Sequence, residues 1–152
     1  MARGMDAVMA ADLSGDLPAI FKATAMALIS KVGGASGPLY GTAMMEMMKA
    51  SKDSNDPEML LKAAVAGIEK RGNSTAGEKT MLDLWVPAVE NLNNGTLNPA
   101  TIEILVEKTK NMKATKGRAS YLGERSIGHI DPGAMSSAYL FESMIEAGVF
   151  NE

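Results

Sequence analysis

The chain has 152 residues, of which 46% are apolar and only 5% aromatic, with 13 methionines, no cysteine and a formal net charge of −3. That length allows one domain with a real core, while the missing cysteines exclude a disulfide framework or a thiolate metal site. The acidic balance argues against nucleic acid as a partner. No apolar run is long enough to cross a bilayer and no signal-peptide pattern opens the chain, so no membrane partner is expected and the location expected is cytoplasmic.

Small apolar residues and methionine suit close-packed helices, and nowhere do apolar and polar residues alternate over a strand length. The fold expected is therefore all-α, with antiparallel amphipathic helices in a bundle or closed helical barrel. In chain order, a short helix is expected near residues 2–11, then helices over about 17–32, 37–51, 57–71, 80–93, 99–116 and 132–147, with ends uncertain by about 2–4 residues. Asp56-Pro57, Asn98-Pro99 and Asp131-Pro132 each place a capping side chain before a proline that is tolerated at the first helical position. Asp16-Leu17-Pro18 and Ser36-Gly37-Pro38 are looser forms of the same start. Gly33, Gly72, Gly117 and Gly148 stand where helices should stop. Pro87 falls inside an expected helix and should kink it or break its ladder. In the segment 99–116, Ile102, Leu105, Val106, Thr109 and Met112 recur at helical spacing, with Glu103, Glu107, Lys110 and Lys113 facing away.

Three stretches hold the residue types that bind anions. Gly33 to Pro38 lies between two helices and opens the second, where free N–H groups and the Ser36 hydroxyl suit a phosphate, although a capped interhelical turn explains the same residues. Gly72 to Thr80, GNSTAGEKT, is no P-loop: Glu78 separates the second glycine from Lys79, and a helix rather than a strand precedes it. Lys79 is expected to be exposed near a helix start, where it could still neutralise a phosphate; Met81 either packs on a flat base or belongs to the core. The run from Ala114 to Gly133 combines Arg118 and Arg125 with glycines at 117, 123, 128 and 133, and guanidinium forks suit phosphate oxygens. His129 is the single histidine and cannot build a catalytic triad or a histidine-rich metal site on its own. No catalytic residue and no metal ligand is singled out, and no Asp-x-Asp pair occurs.

Three blocks, KVGGASGPLYGT (Lys31–Thr42), GEKTMLDLWVPAVE (Gly77–Glu90) and ATKGRASYLGERSIGHIDPGAMSSA (Ala114–Ala138), resemble in order and spacing the nucleotide-binding L subunit of bacterial dihydroxyacetone kinase. The resemblance implies a single nucleotide-binding helical domain over residues 1–152. It implies that Ala35 and Ser36 contact phosphates of ADP or ATP, that Gly72 and Met81 form the adenine side, that Arg118 meets the phosphates, and that Asp131, Pro132 and Gly133 border the nucleotide. Dihydroxyacetone would sit on a separate K subunit, and a phosphotransferase-system subunit carrying phosphohistidine would recharge the bound ADP. Family members hold magnesium on an aspartate-rich loop of the form Gly-Asp-x-Asp-His-Gly-x-Asn, and Met1 to Gly4 match the residues that follow that loop. The sequence as it stands is thus expected to lack the family's first helix and its magnesium ligands, to be inactive alone, and to expose an apolar seam open to self-association. The alternative expectation is a non-catalytic paralogue acting as a regulatory or binding module, with an acyl-chain-holding barrel as a third.

Overall fold

The computed structural model describes residues 2–34 and 36–151, apart from the side chains of Ala2 and Arg118. The helices are α1 (Ala2–Ala10), α2 (Leu17–Lys31), α3 (Ser36–Ser51), α4 (Pro57–Gly72), α5 (Leu82–Asn94), α6 (Pro99–Lys108) and α7 (Pro132–Glu146), with 3-10 segments at Thr109–Asn111 and Arg118–Ser126. There is no strand among the described residues, and the fold is all-α as the composition indicates.

The aspartate and asparagine caps form as the sequence prescribes. Asp16, Asp56, Asn98 and Asp131 accept hydrogen bonds from the N–H groups of Ala19, Glu58, Thr101 and Ala134. At α6 the cap is reciprocal, because the Asn98 N–H donates to Thr101 Oγ1 at 3.0 Å while Thr101 N–H donates to Asn98 Oδ1 at 3.0 Å. Asn98→Ala removes both acceptance and register there and is expected to cost about 1 kcal/mol, read as a lower thermal midpoint by circular dichroism.

The chain forms two compact units, Met1–Asn73 and Ser74–Glu152. In the first, α2 packs on α1 and α3, and α3 on α4. Ala25, Leu28, Tyr40, Ala43, Met47, Leu61, Ala64 and Ile68 are buried. Small residues set the helix spacing: a Cβ on Gly41 would lie 2.2 Å from the Ile29 side chain, and one on Gly67 would lie 2.6 Å from that of Glu46. In the second unit α5, α6 and α7 pack on one another. Trp85, wholly buried, meets Phe141 edge-on with ring centroids 5.0 Å apart, and its Nε1–H donates to Ser137 Oγ at 2.9 Å. Leu82, Leu84, Ala88, Ile102 and Ala134 are equally inaccessible.

The structure corrects two expected helix ends. The helix expected over 99–116 ends at Lys108, followed by one 3-10 turn. Its buried face is as expected through Thr109, but the backbone donors beyond it go elsewhere. Ala114 N–H donates to Ser126 Oγ at 2.9 Å, and Thr115 N–H to the Glu78 carbonyl at 3.2 Å. Gly117 therefore ends no α-helix. Gly72 is the last residue of α4 and not its stop; Asn73 takes the left-handed conformation, with φ 47°. Pro87 lies inside α5, which runs on to Asn94, and its ring removes one donor from the helical ladder.

Candidate functional site

In the first unit, α2 ends as the Val32 N–H donates to the Leu28 carbonyl at 3.0 Å. Gly33 and Gly34 follow, both exposed, with Gly34 left-handed at φ 67° and open space where a Cβ would point at either. Ser36, half-buried, begins α3. A Cβ on Gly37 would lie 2.2 Å from the Val32 carbonyl oxygen, so glycine there is what lets α3 begin against the end of α2. Gly33 and Gly34 are thus accessible close before a helix N-terminus, where N–H groups lack intrahelical acceptors. Gly72, exposed, closes α4 at the other end of the unit's chain. Ala35 lies outside the described residues.

In the second unit the candidate residues gather around the start of α5. Asp83 binds the preceding loop back onto the helix: its carboxylate accepts from Gly77 N–H at 2.6 Å and Thr80 N–H at 2.9 Å. Leu82 N–H donates to Thr80 Oγ1 at 3.1 Å. Thr80-Met81-Leu82-Asp83 is thus a capping arrangement of the Ser/Thr-x-x-Asp/Glu kind, a signal present in the sequence that reading it as a failed P-loop passed over. Met81 is buried and stands beside Gly133, where a Cβ would lie 3.2 Å from Met81 Cβ and 3.3 Å from its N. Asp131, Pro132 and Gly133 form the cap and first turn of α7. Met81 and the Asp131–Gly133 turn are therefore brought together.

Lys79 departs from expectation. It is 4% exposed rather than solvated, holds a left-handed φ of 61°, and its Nζ donates to the Ser126 carbonyl. The bond spans 47 residues of sequence, so no local pattern announces it. Ser126 in turn donates from Oγ to the Gly123 carbonyl at 2.7 Å and accepts from Ala114 N–H, which ties down the arginine-bearing run. Arg125 and His129 are exposed; the Arg118 side chain lies outside the described residues. Glu78 Oε2 is buried without a hydrogen-bond partner among the described residues.

Burial raises the Asp131 pKa above its ordinary value of 3.8, against the Ala134 N–H, which lowers it; the nearby Asp83 charge adds to the rise and Lys79 opposes it. A carboxyl whose folded pKa is raised favours the fold most in its protonated form, so its contribution is lost as pH climbs from the unfolded value through the folded one. Asp131→Asn keeps a capping acceptor and removes the charge. The variant is expected to gain stability relative to the parent as pH rises above 3.8, and to lose that advantage in more acidic solution. Chemical denaturation of both proteins across pH 3 to 7 checks the sign.

Among the described residues no group of three or more His, Asp or Glu side chains is placed to hold a metal ion, and no helix is long and apolar enough to cross a membrane.

Residues 1–146 match the sequence model of the DAK2 domain. The chain is 53% identical to the ADP-binding subunit DhaL of PEP-dependent dihydroxyacetone kinase 1 from Listeria innocua, over 98% of this chain and 79% of that protein. It is 38% identical to the corresponding ADP-binding subunit from Escherichia coli, over 85% of this chain and 69% of that one. In backbone it resembles the crystal structure of the dihydroxyacetone kinase of C. freundii, with a TM-score of 0.66 at 22% identity, covering 86% of this chain and 24% of that one.

Proposed function

We infer the role of this chain from its family, for the chain belongs to the DAK2 domain family: it is the ADP-holding subunit of a dihydroxyacetone kinase. The observation that carries this reading is the 53% identity, along 98% of the chain, to a protein named as an ADP-binding subunit of that enzyme. The site geometry supports it. The open glycines before α3 and the Ser36 hydroxyl carry donor groups that suit phosphate oxygens. Buried Met81 against Gly133, at the cap of α7, gives an apolar wall beside a close backbone approach, which suits one side of a purine. Gly72, Arg118, Asp131 and Pro132 complete the nucleotide contacts carried over by resemblance, with Ala35 beside Ser36. One family match spans both compact units, and residues 1–152 are read as one functional domain.

Dihydroxyacetone is held by a separate K subunit in this proposal, and the bound ADP is recharged by a phosphohistidine-carrying protein of the phosphotransferase system, in the cytoplasm. ADP, when charged, supplies the phosphoryl group. The chain's own residues bind the nucleotide, orient it and neutralise its charge. Magnesium does not fit the described residues, which assemble no acidic cluster for it. Phosphoryl transfer depends on compensating the charge that develops on the phosphoryl oxygens, so these 152 residues alone are inferred to bind nucleotide without turning it over.

Calorimetric titration of ADP, with and without magnesium, tests the binding reading. The expected result is saturable binding that Ser36→Ala and Met81→Asp each weaken. A chain that is folded and gives no heat with ADP under either condition sinks it. Mixing the chain with a K subunit, dihydroxyacetone and a phosphorylated donor then separates a working kinase subunit from a binding module.

A further inference from the structure

Lys79 is a buried cation that the nucleotide reading leaves without a task. Its place in the second unit is specific. The ammonium bonds the Ser126 carbonyl, and Ser126 holds Gly123 on one side and Ala114 on the other. Lys79 itself stands on the short loop that Asp83 fastens at Gly77 and Thr80. The backbone carbonyl of Glu78, its neighbour, accepts from Thr115 N–H. The loop 77–80 and the run 114–126 are therefore joined by two hydrogen-bonded links, Lys79 to Ser126 and Glu78 to Thr115, while Ser126 to Ala114 closes the run on itself. The second link is neutral. The first is charge-assisted, and such bonds are about twice as strong as neutral ones.

We infer that Lys79 is a positioning residue for nucleotide binding: its buried ammonium clamps the Arg118-bearing run, residues 114–126, onto the start of α5, and it is not itself a phosphate ligand. The inference rests on the ADP-binding reading for its consequence, but the clamp stands on the hydrogen bonds alone. This lysine is 4% exposed and bonds a carbonyl, which leaves it little surface to offer a phosphate arriving from solvent. Among the described residues, other bonds within the run are short-range, such as those from Ser120 N–H and Oγ to the Gly117 carbonyl, and do not reach the loop 77–80. Gly117 and Gly123 both take positive φ, 70° and 57°, and Tyr121 and Leu122 between them are exposed. Holding that run still before ligand arrives removes the ordering cost from the binding step. The Lys79 charge also works to lower the Asp131 pKa, opposing the Asp83 charge and the burial that raise it.

The test compares the unmodified protein with Lys79→Met and Lys79→Arg by hydrogen–deuterium exchange without ligand, and by ADP titration at several pH values. Lys79→Met keeps the stem and deletes the charge. Expected is exchange about tenfold faster in peptides covering 114–128, with α2, α3 and α4 unchanged. ADP affinity should fall between about tenfold and a hundredfold, the scale of a misplacement of about 1 Å. Lys79→Arg, still a cationic donor, should recover at least half of the lost protection. The pH profile of ADP binding separates the clamp from mere filling of space: with the cation gone, Asp131 titrates at higher pH, and the midpoint assigned to it moves up in Lys79→Met. A midpoint that stays put, or exchange in 114–128 within twofold of the parent, overturns the inference. Lys79→Gln replaces Lys79→Met in the same comparison, with the same two outcomes, if the methionine variant does not fold. If the parent binds no ADP, the proposed function fails while the exchange data still decide on the clamp.

Discussion

Trp85→Ala is expected to lose about 3–5 kcal/mol of stability, the range for deleting a large buried aromatic side chain. The residue has no accessible surface, packs edge-on against Phe141 on α7, and hydrogen-bonds Ser137 on the same helix. It thus fastens α5 to α7 by apolar contact and a directional bond together. Edge-to-face pairs add roughly 0.5–1.5 kcal/mol beyond area burial, so collapse of the neighbours into the vacated space recovers little. For a chain of this size the thermal midpoint should fall on the order of 10 °C. Trp85→Phe keeps an aromatic ring and loses the indole donor; it should lie between the two, about 1–3 kcal/mol below the parent. Far-ultraviolet circular dichroism on heating measures both. A Trp85→Ala midpoint within 2 °C of the parent refutes the packing account.

Gly37→Ala is the second large effect expected. The atoms a methyl would meet are the Val32 carbonyl oxygen at 2.2 Å, the Val32 carbonyl carbon at 3.1 Å and the Leu28 oxygen at 3.4 Å. All are backbone, so no rotamer change relieves the clash and α3 must shift against α2. Overpacking of this kind costs about 1–3 kcal/mol, and the upper end is expected. Gly33→Ala, four positions earlier in open space, is the control and should stay within about 0.5 kcal/mol of the parent. The proposed phosphate contact at Ser36 adjoins Gly37, so Gly37→Ala should also weaken ADP binding while Gly33→Ala does so far less. Equal stability of the two variants by urea denaturation removes the steric argument.

Helix starts were legible in the sequence because they are local: a carboxylate or amide before proline satisfies an N–H two or three residues on, and all four such caps form. The buried stripe of Ile102, Leu105 and Val106 was legible for the same reason. The end of α6 was not, because Ser126 and Glu78, distant in sequence, take donors that a longer helix would have used. Lys79 was misjudged on the same ground. Its composition and neighbours favour solvent, and only a carbonyl 47 residues away draws it inside. Of the candidate site, resemblance supplied the residue names, and the structure adds that Met81 and Gly133 adjoin. Asp83, which orders the loop before α5, was within reach through its three-residue spacing from Thr80.

Trp85 is the only tryptophan in the chain and belongs to the unit Ser74–Glu152. Its indole is sealed from water, so intrinsic emission should shift to the red on denaturation and report that unit alone, whereas ellipticity near 222 nm averages over the helices of both. The protein therefore carries its own optical test of cooperativity. Coincident urea curves from the two signals would mean that both halves melt as one. An emission curve displaced from the ellipticity curve would give each half its own free energy of unfolding, without a label or a truncated chain.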